Sequence, residues 1–273
     1  YLLEKRGLTV GDKFRASFFL RNISYFHLSI YAKAFQDEND NFIEGTSFDN
    51  ILNLYNFDKK LRLLLLDVLE RIEMSFKCVL AYEITKNKND NYWYANSANY
   101  VNKEEEIVEL LENVKISKEI YLQHFYKKYS DSEFPPAWMF FESLTFGDCI
   151  RLARNLHDED RQKIASFYKL SKGVINMFLY LSHLRNACAH HCRVWNRRFT
   201  MKVEKYKKYI DVFGTSPSDS LFSYLVILQI LLARISPSSE WLEKLDSLIK
   251  KYNIPIFRMG FPDDWREKME SIK

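Results

Sequence analysis

The chain of 273 residues carries 40 Lys and Arg against 36 Asp and Glu, a net charge of +4, with 47% hydrophobic and 16% aromatic side chains. That composition excludes a disordered or fibrous chain and calls for a packed core, while so small a charge makes no case for a nucleic-acid partner by itself. Seven Gly and six Pro are few turn-formers for this length and favour helices over many short strands.

The chain begins at Tyr1 without Met, which points to residues preceding it. Phe14, Phe18, Phe19, Ile23, Phe26, Ile30 and Phe35 recur at three- and four-residue steps, predicting an amphipathic helix or a pair of helices from Lys13 to Ala34. A polar break comes next, at residues 36–41. From Ser47 to Tyr82, the series Ile51, Leu54, Leu61, Leu65, Val68, Leu69, Ile72, Phe76, Val79 and Leu80 keeps helical period, with Ser47 or Asp49 as N-cap. Residues 86–91 read as a loop. The acids Glu104, Glu105, Glu106, Glu109 and Glu112 form a solvated helix face. Pro135-Pro136 breaks the chain before a helix near Trp138, and the stretch from Lys172 to His191 is apolar at Val174, Ile175, Phe178, Leu179, Leu181 and Leu184. Leu221–Ile235 contains Gln229 and Arg234 and is too short to span a bilayer, so it reads as a buried helix. No repeat, linker or signal peptide stands out, and one all-helical domain over residues 1–273 is the expectation. Cys78, Cys149, Cys188 and Cys192 lack the spacing of a disulfide framework, which suits a reducing cytoplasm.

The chemistry concentrates in the run from Leu184 to Arg197, where Arg, Asn and two His come after an apolar helix. If that helix continues to His191, Asn186 and His190 share a face one turn apart, with His183 behind them and Arg193 and Arg197 ahead. Leu181, Leu184 and Cys188 then face the core, while Arg185 points about 140° from His190 on an ideal helix, so its side chain curls round, the helix distorts or it serves a partner subunit. Guanidinium, amide and imidazole suffice to cleave RNA without metal. His190 would move the proton of a 2′-hydroxyl or of the leaving 5′-oxygen, Arg185 would stabilise charge on the phosphorus oxygens, and Asn186 would orient imidazole or phosphate. The product is a 2′,3′-cyclic phosphate, and DNA lacks the nucleophile.

From Arg193 to Lys208 seven cations (Arg193, Arg197, Arg198, Lys202, Lys205, Lys207, Lys208) meet one acid, Glu204, with Trp195, Phe199, Tyr206 and Tyr209 interleaved. Together with His191 and a smaller group at Lys59, Lys60 and Arg62, these are the expected RNA contacts. Each signal has a plainer counterpart. The Arg-Asn-x-x-x-His string alone could be a hydrogen-bonded helix end, and the basic stretch a solvated face. Cys188, His190, His191 and Cys192 suggest zinc, but only the two cysteines share a helix face and no second ligand pair with finger-like spacing appears elsewhere, so no metal is expected, nor a cofactor. Glu70 and Glu73, amid Arg62, Arg71 and Lys77, read as helix-face ion pairs.

Arg185-Asn186-x-x-x-His190 resembles the catalytic motif of the HEPN superfamily of all-helical ribonucleases, and the wider run to Arg197 resembles abortive-infection proteins of the AbiD/AbiF type. Other blocks are similar to that family in its own order: residues 22–29, Leu54-Tyr55-x-Phe57-Asp58-x-x-Leu61-Arg62 with Ile72-Glu73, Pro135-Pro136-x-Trp138 with Glu142 and Phe146-Gly147, and Met259-Gly260-Phe261-Pro262-x-x-Trp265. His27 stands where the family usually has Arg, and Ile30 where it usually has Gly. The resemblance implies an all-α HEPN-like helical bundle core with additional helices and a bacterial, cytoplasmic antiphage role. It also implies a homodimer that joins two Arg185–His190 sets, and control by a bound small structured RNA. The alternative is a non-catalytic RNA-binding protein that forms a ribonucleoprotein with a non-coding RNA. No membrane and no DNA partner is expected.

Overall fold

The computed structural model describes residues 2–101 and 104–272, and for 104–106 the backbone alone. Among the described residues every regular element is helical; β contacts are limited to isolated bridges such as Thr9 with Ser47 and Gln36 with Phe42. The all-α expectation holds. No helix among them is long and apolar enough to cross a membrane. The chain packs as two compact units, Tyr1–Leu66 with Ala187–Ser223 and Glu240–Glu270, and Asp67–Asn186 with Tyr224–Ser239 and Ser271–Lys273.

In the first unit the predicted aromatic segment is a pair of helices, Lys13–Ile23 and Tyr25–Ala32. Asp12 caps the first by accepting from the Arg15 amide at 2.9 Å. Ser24 separates them. It takes φ 71°, which ends one helix, and its hydroxyl accepts from the His27 amide to begin the next. The apolar period does not mark a buried face throughout, for Phe14, Phe18 and Phe26 stand in solvent while Leu28 and Tyr31 are buried. The long helix Phe48–Cys78 opens with a reciprocal cap: Ser47 Oγ accepts from the Asn50 amide, and Asn50 Oδ1 accepts from the Ser47 amide. Its stripe of Ile51, Leu54, Phe57, Leu61 and Leu65 is buried as the spacing predicts. The helices Trp241–Tyr252 and Trp265–Glu270 add Trp241, Leu245 and Trp265 to this core.

The second unit receives the remainder of the long helix, which passes into a π-helical turn at Val79–Ile84. Residues 86–91, expected as a loop, begin as a helical turn that ends on left-handed Asn89. Next come the helices Glu104–Lys115, Ile120–Lys128, Ala137–Ser143, Phe146–Asn155 and Asp158–Phe167. The solvated face expected of Glu104, Glu105 and Glu106 lies outside the described side chains, while Ile107, Leu110, Leu111 and Val114 of that helix are buried. Most of the helix Val174–Ala189 and of the buried helix Leu221–Ile235 completes the unit. Its core is aromatic: Phe76 stacks on Phe178 with centroids 4.2 Å apart, and Tyr94 on Phe140 at 3.8 Å.

Candidate nucleic-acid site at a helix end

The helix Val174–Ala189 buries Leu181, Leu184 and Cys188 and exposes His183, Asn186 and His190, as one turn of spacing requires. It stops sooner than expected. The His191 amide donates to the Cys188 carbonyl at 3.2 Å and the Cys192 amide to the Ala187 carbonyl at 2.9 Å, while His191 adopts φ 58°. This is a Schellman termination with histidine in the place usually taken by glycine. His190 therefore sits at the C-cap with its imidazole in solvent. Arg193 and Arg197 lie beyond the helix and do not continue the His190 face, because the left-handed residue turns the chain away.

Arg185 needs no helix distortion. Its Nε lies 3.4 Å from Glu73 Oε2, and Glu73 also meets Lys77 at 3.7 Å. The Glu73–Lys77 pair is the helix-face pairing expected; the engagement of Arg185 is additional. Arg185 remains 40% exposed, whereas Glu73 and Lys77 are nearly covered.

The turn after the motif is held by Asp58, a residue to which its chemistry alone assigned no part in the site. Asp58 is wholly buried and accepts from the Val194 amide at 3.1 Å and the Trp195 amide at 2.6 Å on one oxygen. Its other oxygen takes the Tyr31 hydroxyl at 2.7 Å and the Arg62 guanidinium, which also donates to Tyr31 Oη at 3.2 Å. Burial pushes the Asp58 carboxyl above its ordinary value, against the Tyr31 hydrogen bond and the Arg62 charge. Burial likewise raises the Tyr31 phenol and lifts the Cys188 thiol to about 12. The signal that could have found Asp58 is its spacing. It falls on the buried stripe between Leu54 and Leu61, where an acid must have partners.

His27 packs edge-on to Tyr55 with centroids 5.8 Å apart and against Tyr31 at 6.1 Å. Burial lowers its pKa, the charges of Arg62 and His191 add to that, and Asp58 opposes it.

The basic stretch divides. Arg193 donates to the Ile30 carbonyl at 3.0 Å, Arg197 to the Arg193 carbonyl at 3.4 Å, and Lys205 to the Gly214 carbonyl at 2.9 Å. Arg198 is exposed but paired with Asp219 at 2.8 Å. Lys202, Lys207, Lys208, Lys59, Lys60 and His191 are exposed. Two expected RNA contacts are corrected. Arg62 is 4% exposed and given to Asp58, and Trp195 is 1% exposed, so neither can touch RNA without the fold opening. Phe199 and Tyr209 are buried too, so of the four interleaved aromatics only Tyr206 keeps part of its surface in solvent and they form no stacking row. Among the described residues no three His, Cys, Asp or Glu side chains are grouped to hold a metal ion, and all four cysteines are free.

A family model described as Abi-like protein matches residues 18–196, well over half the chain. The chain belongs to the Abi-like protein family. In this Abi-like protein the matched span contains Tyr31, Asp58, Glu73 and the whole run from Arg185 to Trp195, while Lys202, Lys207 and Lys208 lie after it. Membership supports a role in abortive infection. No curated protein and no solved structure matches the Abi-like protein.

Proposed function

We propose that this Abi-like protein is a metal-independent endoribonuclease of the HEPN type, of the AbiD/AbiF kind, acting in the cytoplasm of a bacterium to arrest infection. The observation that carries this reading is the exposure of Asn186 and His190 one turn apart at the helix end, over a buried Cys188. In the proposed step the His190 imidazole takes the proton of a ribose 2′-hydroxyl. The 2′-oxygen attacks the neighbouring phosphorus, the bond to the 5′-oxygen breaks, that oxygen takes a proton from water, and a 2′,3′-cyclic phosphate remains. The half-exposed Arg185 guanidinium supplies charge to the phosphorus oxygens, with Asn186 as orienting amide. A homodimer joining two such sets and restraint by a bound structured RNA belong to the same proposal, with RNA rather than DNA as substrate.

One observation favours a second reading, in which the protein holds a structured RNA without cutting it: Arg185 is already engaged by Glu73. The test is cleavage of labelled single-stranded RNA in EDTA by wild type and His190→Ala. Cleavage by wild type alone, with cyclic phosphate ends, is expected. Binding without cleavage by wild type stripped of RNA would leave the second reading, and absence of both would end the RNA reading.

A further inference from the structure

Within the first unit a cleft of about 380 Å³ lies beside Trp195, in the size range of small-molecule sites, about 300–1,000 Å³. Trp195, Asn50, Asn53, Leu54, Tyr252 and Arg258 line it, with Phe35 and Ile43 on its apolar side and no Asp or Glu. Its one cation, Arg258, donates to the Ala34 carbonyl at 3.2 Å and lies 5.9 Å over the Trp195 ring. Among the described residues it has no carboxylate partner, so its exposed charge is open to an anion.

The two amides are complementary. Asn50 Oδ1 is occupied by the Ser47 amide and hydroxyl, which leaves its Nδ2 as a donor. Asn53 Nδ2 donates to the Tyr252 carbonyl at 3.0 Å, which leaves its Oδ1 as an acceptor. Three residues apart on one helix, they are neighbours on one face. A donor beside an acceptor matches the edge of a nucleobase. Trp195 forms part of the cleft wall, and among the described residues its indole N–H is buried behind that wall without a partner. Tyr252, partly exposed, adds flat surface against which a base can lie.

The geometry points to a nucleotide site, with a base edge read by Asn50 and Asn53 and a phosphate on Arg258. A free mononucleotide and one nucleotide of an RNA strand present the same chemistry. The strand form rests on the RNA reading above; the free form does not.

The experiment titrates the full chain with AMP, GMP, CMP and UMP by calorimetry, and separately with short single-stranded RNA by filter binding. Wild type is compared with Arg258→Ala and with Ile43→Trp, which fills the mouth of the cleft from an exposed position and leaves the helix cap intact. Saturable binding of at least one mononucleotide, weakened tenfold or more in both variants at unchanged unfolding midpoint, is expected. If RNA affinity falls with it, or falls alone, the source is a strand; if RNA affinity is unchanged, the source is a free nucleotide. Mononucleotide binding by a wild type that binds no RNA keeps this site and removes the ribonuclease reading. No mononucleotide binding, together with RNA affinity unchanged or absent, overturns the site. Should Arg258→Ala unfold, Ile43→Trp decides.

Discussion

The amide of Trp195 donates to Asp58 over 2.6 Å, a bond between residues 137 positions apart in the chain. With the Val194 amide on the same oxygen, it ties the long helix to the turn beyond the candidate site. Replacing Asp58 by Ala strands the Arg62 charge and two buried amides, and we expect a loss of about 3–5 kcal/mol. Tyr31→Phe removes one hydrogen bond of the same cluster and should cost about 1 kcal/mol. Urea unfolding of both variants measures this; equal costs would mean Asp58 is no hub.

His191 occupies a left-handed position that glycine fills without strain. His191→Gly should raise stability by about 0.5–1 kcal/mol, since strain relieved exceeds the added freedom of the unfolded chain. The unfolding midpoint reports it. A fall would show that the imidazole packs more usefully than its exposure implies.

His27 has a depressed pKa in the folded chain, relative to an ordinary value of 6.5. Above that value it is neutral folded and unfolded. Below it the unfolded chain takes the proton first, so His27's share of stability is present above pH 6.5 and lost as pH falls through the folded pKa. The groups facing it are Tyr31, Tyr55, Arg62, Asp58 and His191. Stability curves from about pH 7.5 to about pH 5 should slope downward in wild type and flatten in His27→Gln. Parallel curves would assign the slope elsewhere.

Of the cations after the motif, Lys207 and Lys208 are exposed, whereas Lys205 is committed to the Gly214 carbonyl. Lys207→Ala with Lys208→Ala should therefore weaken RNA binding without unfolding. It should also reduce the slope of log affinity against log salt by about 1.4, for two phosphates of a single strand. An unchanged slope would take this pair out of the interface.

The helices were legible because apolar side chains at Ile51, Leu54, Leu61, Leu65, Val68 and Ile72 repeat at the period that burial demands, and all are buried. The exposed trio His183, Asn186 and His190 was legible for the same reason. Periodicity says nothing of where a helix stops without glycine or proline, so the end at Ala189 was missed. Nor does it report pairing over long separations. The pairing of Asp58 with Arg62, one helical turn apart, was within reach of the spacing, whereas Trp195 looked available for RNA because its partner Asp58 is remote in the chain. The engagement of Arg185 by Glu73 was hidden likewise.

The reciprocal cap at Ser47 and Asn50 starts a count that ends at Asp58. One residue inserted between them would turn the carboxylate about 100° around the helix axis, away from the two amides it receives. A deletion would turn it as far the other way. The spacing from cap to carboxylate is therefore a ruler that tolerates substitution but no change of length.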